Sequence, residues 1–311
     1  MSEAAISWSI FGIVVFSLLF LDLKVLNKKA HEIKVKEALL ISAFWIGLAL
    51  LFNLGIYFWE GQGKAVEFLT GYLLEKSLSV DNLFIFLIIF SYFKVPAEYQ
   101  HKVLFWGIIG AIIMRFIFIF AGIALVNKFH WLMYVFGAFL VFVGVKLALH
   151  KDKNLNPGDN IVFKLFKRYL PFSSEYSGDS FFARIDGKLV ATPLFLVLLV
   201  IETTDVVFAV DSIPAIFAIT LDPFIVFTSN IFAILGLRAL YFALAGIMGM
   251  FRYLAYGLSV ILVFIGVKML VAGVFKVPTL YALGFITGIL ALSVVLSLLF
   301  PKKEENPGVP N

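Results

Sequence analysis

The sequence contains no cysteine. Disulfides, cysteine-held iron–sulfur clusters and thiolate sites for Zn²⁺ or Cu(I) are therefore excluded. Charge is scarce as well: Asp, Glu, Lys and Arg make up 14% of 311 residues, against about 25% in soluble domains. No soluble fold tolerates that balance beside 62% hydrophobic residues and a mean hydropathy of +1.01. Histidine is confined to His31, His101, His130 and His150, all in or beside connections, where solvated or headgroup positions are expected rather than ligand roles. The net charge of +5 is no nucleic-acid signal, because the basic residues lie in connections flanking apolar runs. The chain reads as an all-α polytopic membrane protein.

Apolar runs of membrane length occur at about 5–23, 37–59, 66–93, 103–126, 131–150, 190–219, 223–247, 251–273 and 279–300, nine spans in all. The first 26 residues are kept as a true span: Glu3 precedes the apolar run, no Lys or Arg does, and no small-x-small cleavage site follows. The first connection holds Lys24, Lys28, Lys29, Lys34 and Lys36, the densest basic cluster of any short loop. Placing it in the cytoplasm puts the N-terminus outside and the C-terminus inside, and most other basic loops then also fall inside. Residues 151–189 are expected to form a cytoplasmic loop. Within it NIVFKLFKRYLPF reads as an amphipathic surface helix and FFARIDGKLVATP as a hairpin turning at Asp186-Gly187. PKKEENPGVPN at 301–311 reads as a disordered tail.

Into this apolar background the stretch ETTDVVFAVDSIPAIFAIT at 202–220 places Glu202, Asp205 and Asp211. One acid at the centre of a spanning helix costs roughly 2.5–3.5 kcal/mol on insertion scales. Three within ten residues must therefore face protein, water or a bound cation. The pattern recurs at 75–84, EKSLSVDNLF, where LSVDN lies over FAVDS at 208–212. Glu75 and Asp81 have the same spacing as Asp205 and Asp211. Downstream, Arg115 aligns with Arg238 and VFVGVKL at 141–147 with VFIGVKM at 263–269. This is an internal repeat of three helices, 66–150 and 190–273, with 1–65 before it and 274–311 after it. On the charge count the two copies insert with opposite topology, an arrangement shared by many secondary transporters.

Six residues along a helix rise about 9 Å and turn about 600°, which leaves Glu75 and Asp81 some 120° apart. Ligands of one ion lie within about 5 Å of one another, so acids must combine across the repeats. A crossing at Asp81 and Asp211 gives one shared site. A crossing midway pairs Glu75 with Asp211 and Asp81 with Asp205, in two layers. Pro214 lacks an amide hydrogen and frees the carbonyl of Val210 beside Asp211. Ser77, Ser79, Asn82, Thr203, Thr204 and Ser212 add neutral oxygens, with Asn230 a weaker addition, and Glu202 shares a helix face with Asp205, placed to ligate or to carry a proton. Such an oxygen-only donor set suits Mn²⁺, Ca²⁺ or Mg²⁺. Five buried acids set against Lys76, Arg115 and Arg238 leave two negative charges, the charge of one divalent cation. Arg115 and Arg238 are then either counter-ions of an empty site or permanent ion-pair partners.

EKSLSVDNLFIF and ETTDVVFAVDSIPAIFAIT, with FFARIDGKLVATPLF leading into the latter, closely resemble the TerC family of membrane proteins and its Alx-type members, over nearly the whole chain. The resemblance implies kinship with LysE-like exporters built from inverted repeats, and export of manganese. It marks Glu75, Asp81, Asn82, Glu202, Asp205 and Asp211 as candidate residues of the Mn²⁺ site, to which the chemistry of the residues adds Ser79, Thr204, Val210, Ser212, Arg115 and Arg238 as auxiliaries. The family's tellurium name fits indirectly, since an acid-lined cavity repels an oxyanion. The expectation is a non-enzymatic transporter of a bacterial inner membrane, with Mn²⁺ as cargo, no resident cofactor, and the bilayer rather than nucleic acid as its surroundings. Calcium transport and a scaffold without transport are the alternatives. An intramembrane aspartyl protease lacks its Gly-x-Gly-Asp context at both Asp81 and Asp211.

Overall fold

The structure, a computed structural model, describes residues 3–24, 35–149, 173, 176–185, 188–245 and 253–300. The surface helix expected over 160–172, the Asp186-Gly187 turn and the 301–311 tail lie outside those residues. Ten helices are described: α1 (Glu3–Lys24), α2 (Val35–Glu60), α3 (Gln62–Tyr92), α4 (Ala97–Lys128), α5 (Leu132–Leu149), α6 (Pro193–Phe217), α7 (Pro223–Leu235), α8 (Leu237–Ala245), α9 (Leu254–Leu270) and α10 (Thr279–Leu299). Among the described residues six segments are long and apolar enough to cross a membrane, one of them made of α7 and α8 together. The fold is an all-α polytopic membrane protein, as composition requires. The antiparallel hairpin β1 (Phe182–Ile185) and β2 (Lys188–Ala191) forms where it was expected.

Local chemistry sets the boundaries. Gly61 alone joins α2 to α3, at φ +92°, a backbone region that L side chains rarely adopt. The sixth span begins at Pro193 and not at residue 190, because Thr192 is extended before a proline and Ala191 still belongs to β2. Asp222 caps α7, its carboxylate accepting from the amides of Phe224 and Ile225, with Pro223 at the first helical position. The seventh span departs from expectation. It breaks at Gly236 into α7 and α8.

Helix α3 is the hub, packing against α2, α6, α7 and α10, while α4 packs against α6 and α7. Every residue of α7 from Ile225 to Leu235 is buried. Its surroundings include α1, α2, α3 and α4, so it is the innermost rod of the bundle. Helices α5 and α9 cross through small residues, which is how helices approach closely where lipid supplies no hydrophobic drive. A Cβ on Gly137 would stand 2.9 Å from the Gly266 carbonyl, and one on Gly266 would stand 2.6 Å from the Gly137 carbonyl. Further along, the Ser259 hydroxyl donates to the Gly144 carbonyl at 2.6 Å. In the sequence repeat Gly144 aligns with Gly266 and Gly137 with Ser259. Each of these contacts is therefore the other with the two repeats exchanged.

Candidate functional site

Arg115 sits midway along α4, in an otherwise apolar run, with 1% of its side chain exposed. A guanidinium so placed must find partners, and it finds them on three other helices. Nη1 lies 2.6 Å from Oε1 of Glu75 on α3, itself 2% exposed, and donates to Oδ1 of Asn230 on α7 at 2.5 Å. Nη2 lies 3.9 Å from Oδ1 of Asp205 on α6. The Asn230 amide in turn donates to the Val226 carbonyl at 3.0 Å, which fixes its orientation. The cluster is incompletely satisfied: among the described residues, Asp205 Oδ2, Arg115 Nε and Ser212 Oγ are buried without a hydrogen-bond partner. Because most buried polar atoms are paired, unpartnered ones mark strain or a place for a ligand.

Both crossings considered from sequence turn on Asp81 and Asp211, whose side chains lie outside the described residues. Two acids from equivalent repeat positions, Glu75 and Asp205, meet across one guanidinium, so α4 supplies the bridge that helices α3 and α6 alone could not. Ser79 donates to Glu75 Oε1 at a long 3.4 Å. Asn82 and Arg238 are buried, whereas Val210 is half exposed. Helix α6 continues through Pro214. The hydroxyls of Thr203 and Thr204 both donate to carbonyls of their own helix, at 2.8 and 2.6 Å. Asp81 and Asp211 occupy positions on α3 and α6, but their side chains lie outside the described residues. Among the described residues no three acids or histidines converge as a ready metal cage. The guanidinium takes up the place between two of them.

Glu202 is seated differently. Its carboxylate lies flat against Gly110 of α4, where a Cβ would overlap both carboxylate oxygens. Lys76, adjacent in sequence to Glu75, turns the other way and donates to the Ala233 carbonyl at 3.2 Å. That carbonyl belongs to the last turn of α7, the negative end of its dipole. The same ammonium and the Cβ of Trp45 stand 2.9 and 3.0 Å from where a Cβ of Gly236 would be. The break between α7 and α8 is thus filled by a lysine and a tryptophan. Sequence reading passed over Gly110, Gly236 and the Lys76 contact, and ranked Asn230 as a minor oxygen. The one available signal was polarity itself: Asn230 is a lone amide deep in an apolar run, and such groups are placed to bond.

These features define a polytopic helical membrane protein with a buried, arginine-bridged acid cluster among its central helices. The chain belongs to the TerC family: the model described as "Integral membrane protein TerC family" matches residues 60–305. It is 51% identical over 292 residues to an uncharacterized membrane protein of Myxococcus xanthus, covering 94% of this chain and 92% of that one. It is 48% identical over 299 residues to the Escherichia coli K12 protein named "Putative membrane-bound redox modulator Alx", covering 93% of each. A Rickettsia bellii membrane protein is 44% identical over 293 residues, covering 94% of this chain and 97% of that one. No solved structure matches the chain.

Proposed function

We propose that this protein is a secondary transporter of a bacterial inner membrane that exports Mn²⁺ from the cytoplasm in exchange for protons. The observation that carries the reading is the meeting of Glu75 and Asp205, from equivalent positions of the two sequence repeats, at one buried guanidinium with Asp205 Oδ2 unpartnered. Asp81, Asn82, Asp211 and Glu202 complete the proposed pathway. The exchanged glycine contacts of α5 and α9 support inverted repeats. The lysine-rich first connection supports an external N-terminus and an internal C-terminus. The oxygen donors favour a hard divalent cation, and what the family resemblance implies supports manganese over calcium. The name of the Escherichia coli relative speaks of redox. A chain without cysteine offers no thiol–disulfide route, but removal of a redox-active metal from the cytoplasm changes its redox balance without electrons passing through the exporter.

The test is Mn²⁺ flux in proteoliposomes enclosing a pH-sensitive dye, for wild type and Asp211→Asn. Manganese movement with opposite proton movement, lost in the variant, is the expected result. Metal flux without proton flux rejects the coupling alone. Absence of flux under every gradient rejects transport and favours a scaffold, which would also tolerate neutralisation of the acids.

A further inference from the structure

We infer that Arg115 is a built-in counter-ion that competes with the transported cation for the seat between Glu75 and Asp205, with Asn230 as the positioning residue that parks it there. This rests on the reading of the cluster as a cation pathway, and adds how the empty protein is kept electrically compensated.

The geometry distinguishes such a group from a permanent structural ion pair. A structural pair in a dry interior is stable only when its remaining hydrogen-bond groups are also satisfied. Here the grip is lopsided. Nη1 is held closely by Glu75 and by Asn230, at 2.6 and 2.5 Å. Asp205 is approached only to 3.9 Å, and among the described residues neither its second oxygen nor Nε has a partner. The arginine is anchored on one side of the seat and loose on the side that a ligand would need.

A divalent cation bound by both carboxylates would lie within about 2.6 Å of an oxygen of each. The guanidinium already stands at that distance from Glu75. Two cations cannot share that place in a low-dielectric interior, so occupancy is mutually exclusive. With Glu75 and Asp205 ionised, two compensated states follow: acids with arginine, and acids with metal, the exchanged protons being carried by Glu202 and the other acids of the pathway. A state with neither leaves bare buried carboxylates and is strongly disfavoured. Arg115 thus lets the unloaded protein change conformation and helps to drive cargo out. Asn230, tied to Val226 within the buried stretch Ile225–Leu235 of α7, gives the guanidinium a fixed resting point.

The experiment compares wild type, Arg115→Gln and Asn230→Ala, using Mn²⁺ itself as probe. Equilibrium binding is measured in detergent. In proteoliposomes, exchange of labelled Mn²⁺ with Mn²⁺ on both sides is compared with net flux into metal-free buffer. Removing the competitor should tighten binding by about tenfold or more in Arg115→Gln, because a competing state lowers apparent affinity in proportion to its population. Exchange, which uses only the loaded form, should stay within about twofold while net flux falls about tenfold or more. A merely structural arginine would instead weaken binding and depress both fluxes together, and that result overturns the inference. Should Arg115→Gln fail to fold, Asn230→Ala decides: the charge remains, its anchor is lost, and binding should tighten by about twofold to fivefold. Unchanged or weaker binding in Asn230→Ala overturns the proposal. A wild type that binds and exchanges Mn²⁺ with no tightening in either variant removes this inference alone. A wild type that neither binds nor exchanges Mn²⁺ removes the transport reading with it.

Discussion

Helix α4 and the pair α7–α8 carry aligned arginines, yet they are built as opposites. Helix α4 is one continuous rod of 32 residues with Trp106, Ile113, Phe116, Ile117 and Leu125 exposed along it. Its counterpart breaks at Gly236, and every residue from Ile225 to Leu235 is enclosed. The added helices α1 and α2 account for the difference, because both pack on α7 and α2 also covers α8. One arginine therefore lies on a helix at the lipid boundary and the other on a helix at the centre. A pattern repeated in sequence does not fix the same surroundings twice; what surrounds each copy decides whether a position faces lipid, protein or a ligand.

The sharpest way to break this contrast is to place the same residue, leucine, at both copies. The alignment that lays Arg115 over Arg238 lays Ile113 over Gly236. Gly236→Leu drives a side chain into Lys76 and Trp45 and should destabilise the protein by about 1–3 kcal/mol, as overpacking does. Ile113→Leu at the 55% exposed counterpart should stay within about 0.5 kcal/mol. Thermal unfolding in detergent reads both, and equal effects at the two positions would remove the distinction. A smaller effect on stability but a clear one on function is expected at Gly110→Ala. The new Cβ displaces the Glu202 carboxylate and should lower cation flux by about tenfold with the fold retained, since small misplacements of a positioned group are costly to rate. Unchanged flux would take Glu202 out of the pathway. The mildest change lies at the helix entrances. Asp222→Ala removes the cap of α7 and the 2.7 Å ion pair with Lys64, for about 1 kcal/mol lost in the same unfolding assay. Helix α4 follows Pro96 at its N-cap position, with no side-chain cap to lose.

Much of this architecture is legible in sequence because lipid leaves a chain few choices. Apolar runs of spanning length become helices, and α3, α6 and α10 follow their predicted limits to within a few residues. The hairpin was legible from its short alternating strands. The α7–α8 break was not, because a single glycine within Ile-Leu-Gly-Leu-Arg is compatible with an unbroken helix and only the packing of Lys76 and Trp45 singles it out. Within the site, the acids were conspicuous because charge inside an apolar run has to be explained. Their pairing was not, since the meeting of Glu75 with Asp205 depends on where α4 delivers Arg115. Gly110 was silent for a related reason: a glycine in a membrane helix is ordinary until a carboxylate is found lying on it.

The central claim is that Glu75 and Asp205 form a seat for a divalent cation. Electron paramagnetic resonance tests it directly, because the sharp spectrum of hydrated Mn²⁺ is lost when the ion binds. Titration of purified wild type should abolish that spectrum until the seat is filled, and Glu75→Gln and Asp205→Asn should each leave it at the level of protein-free buffer. Full binding in both variants, or none in wild type, would contradict the account.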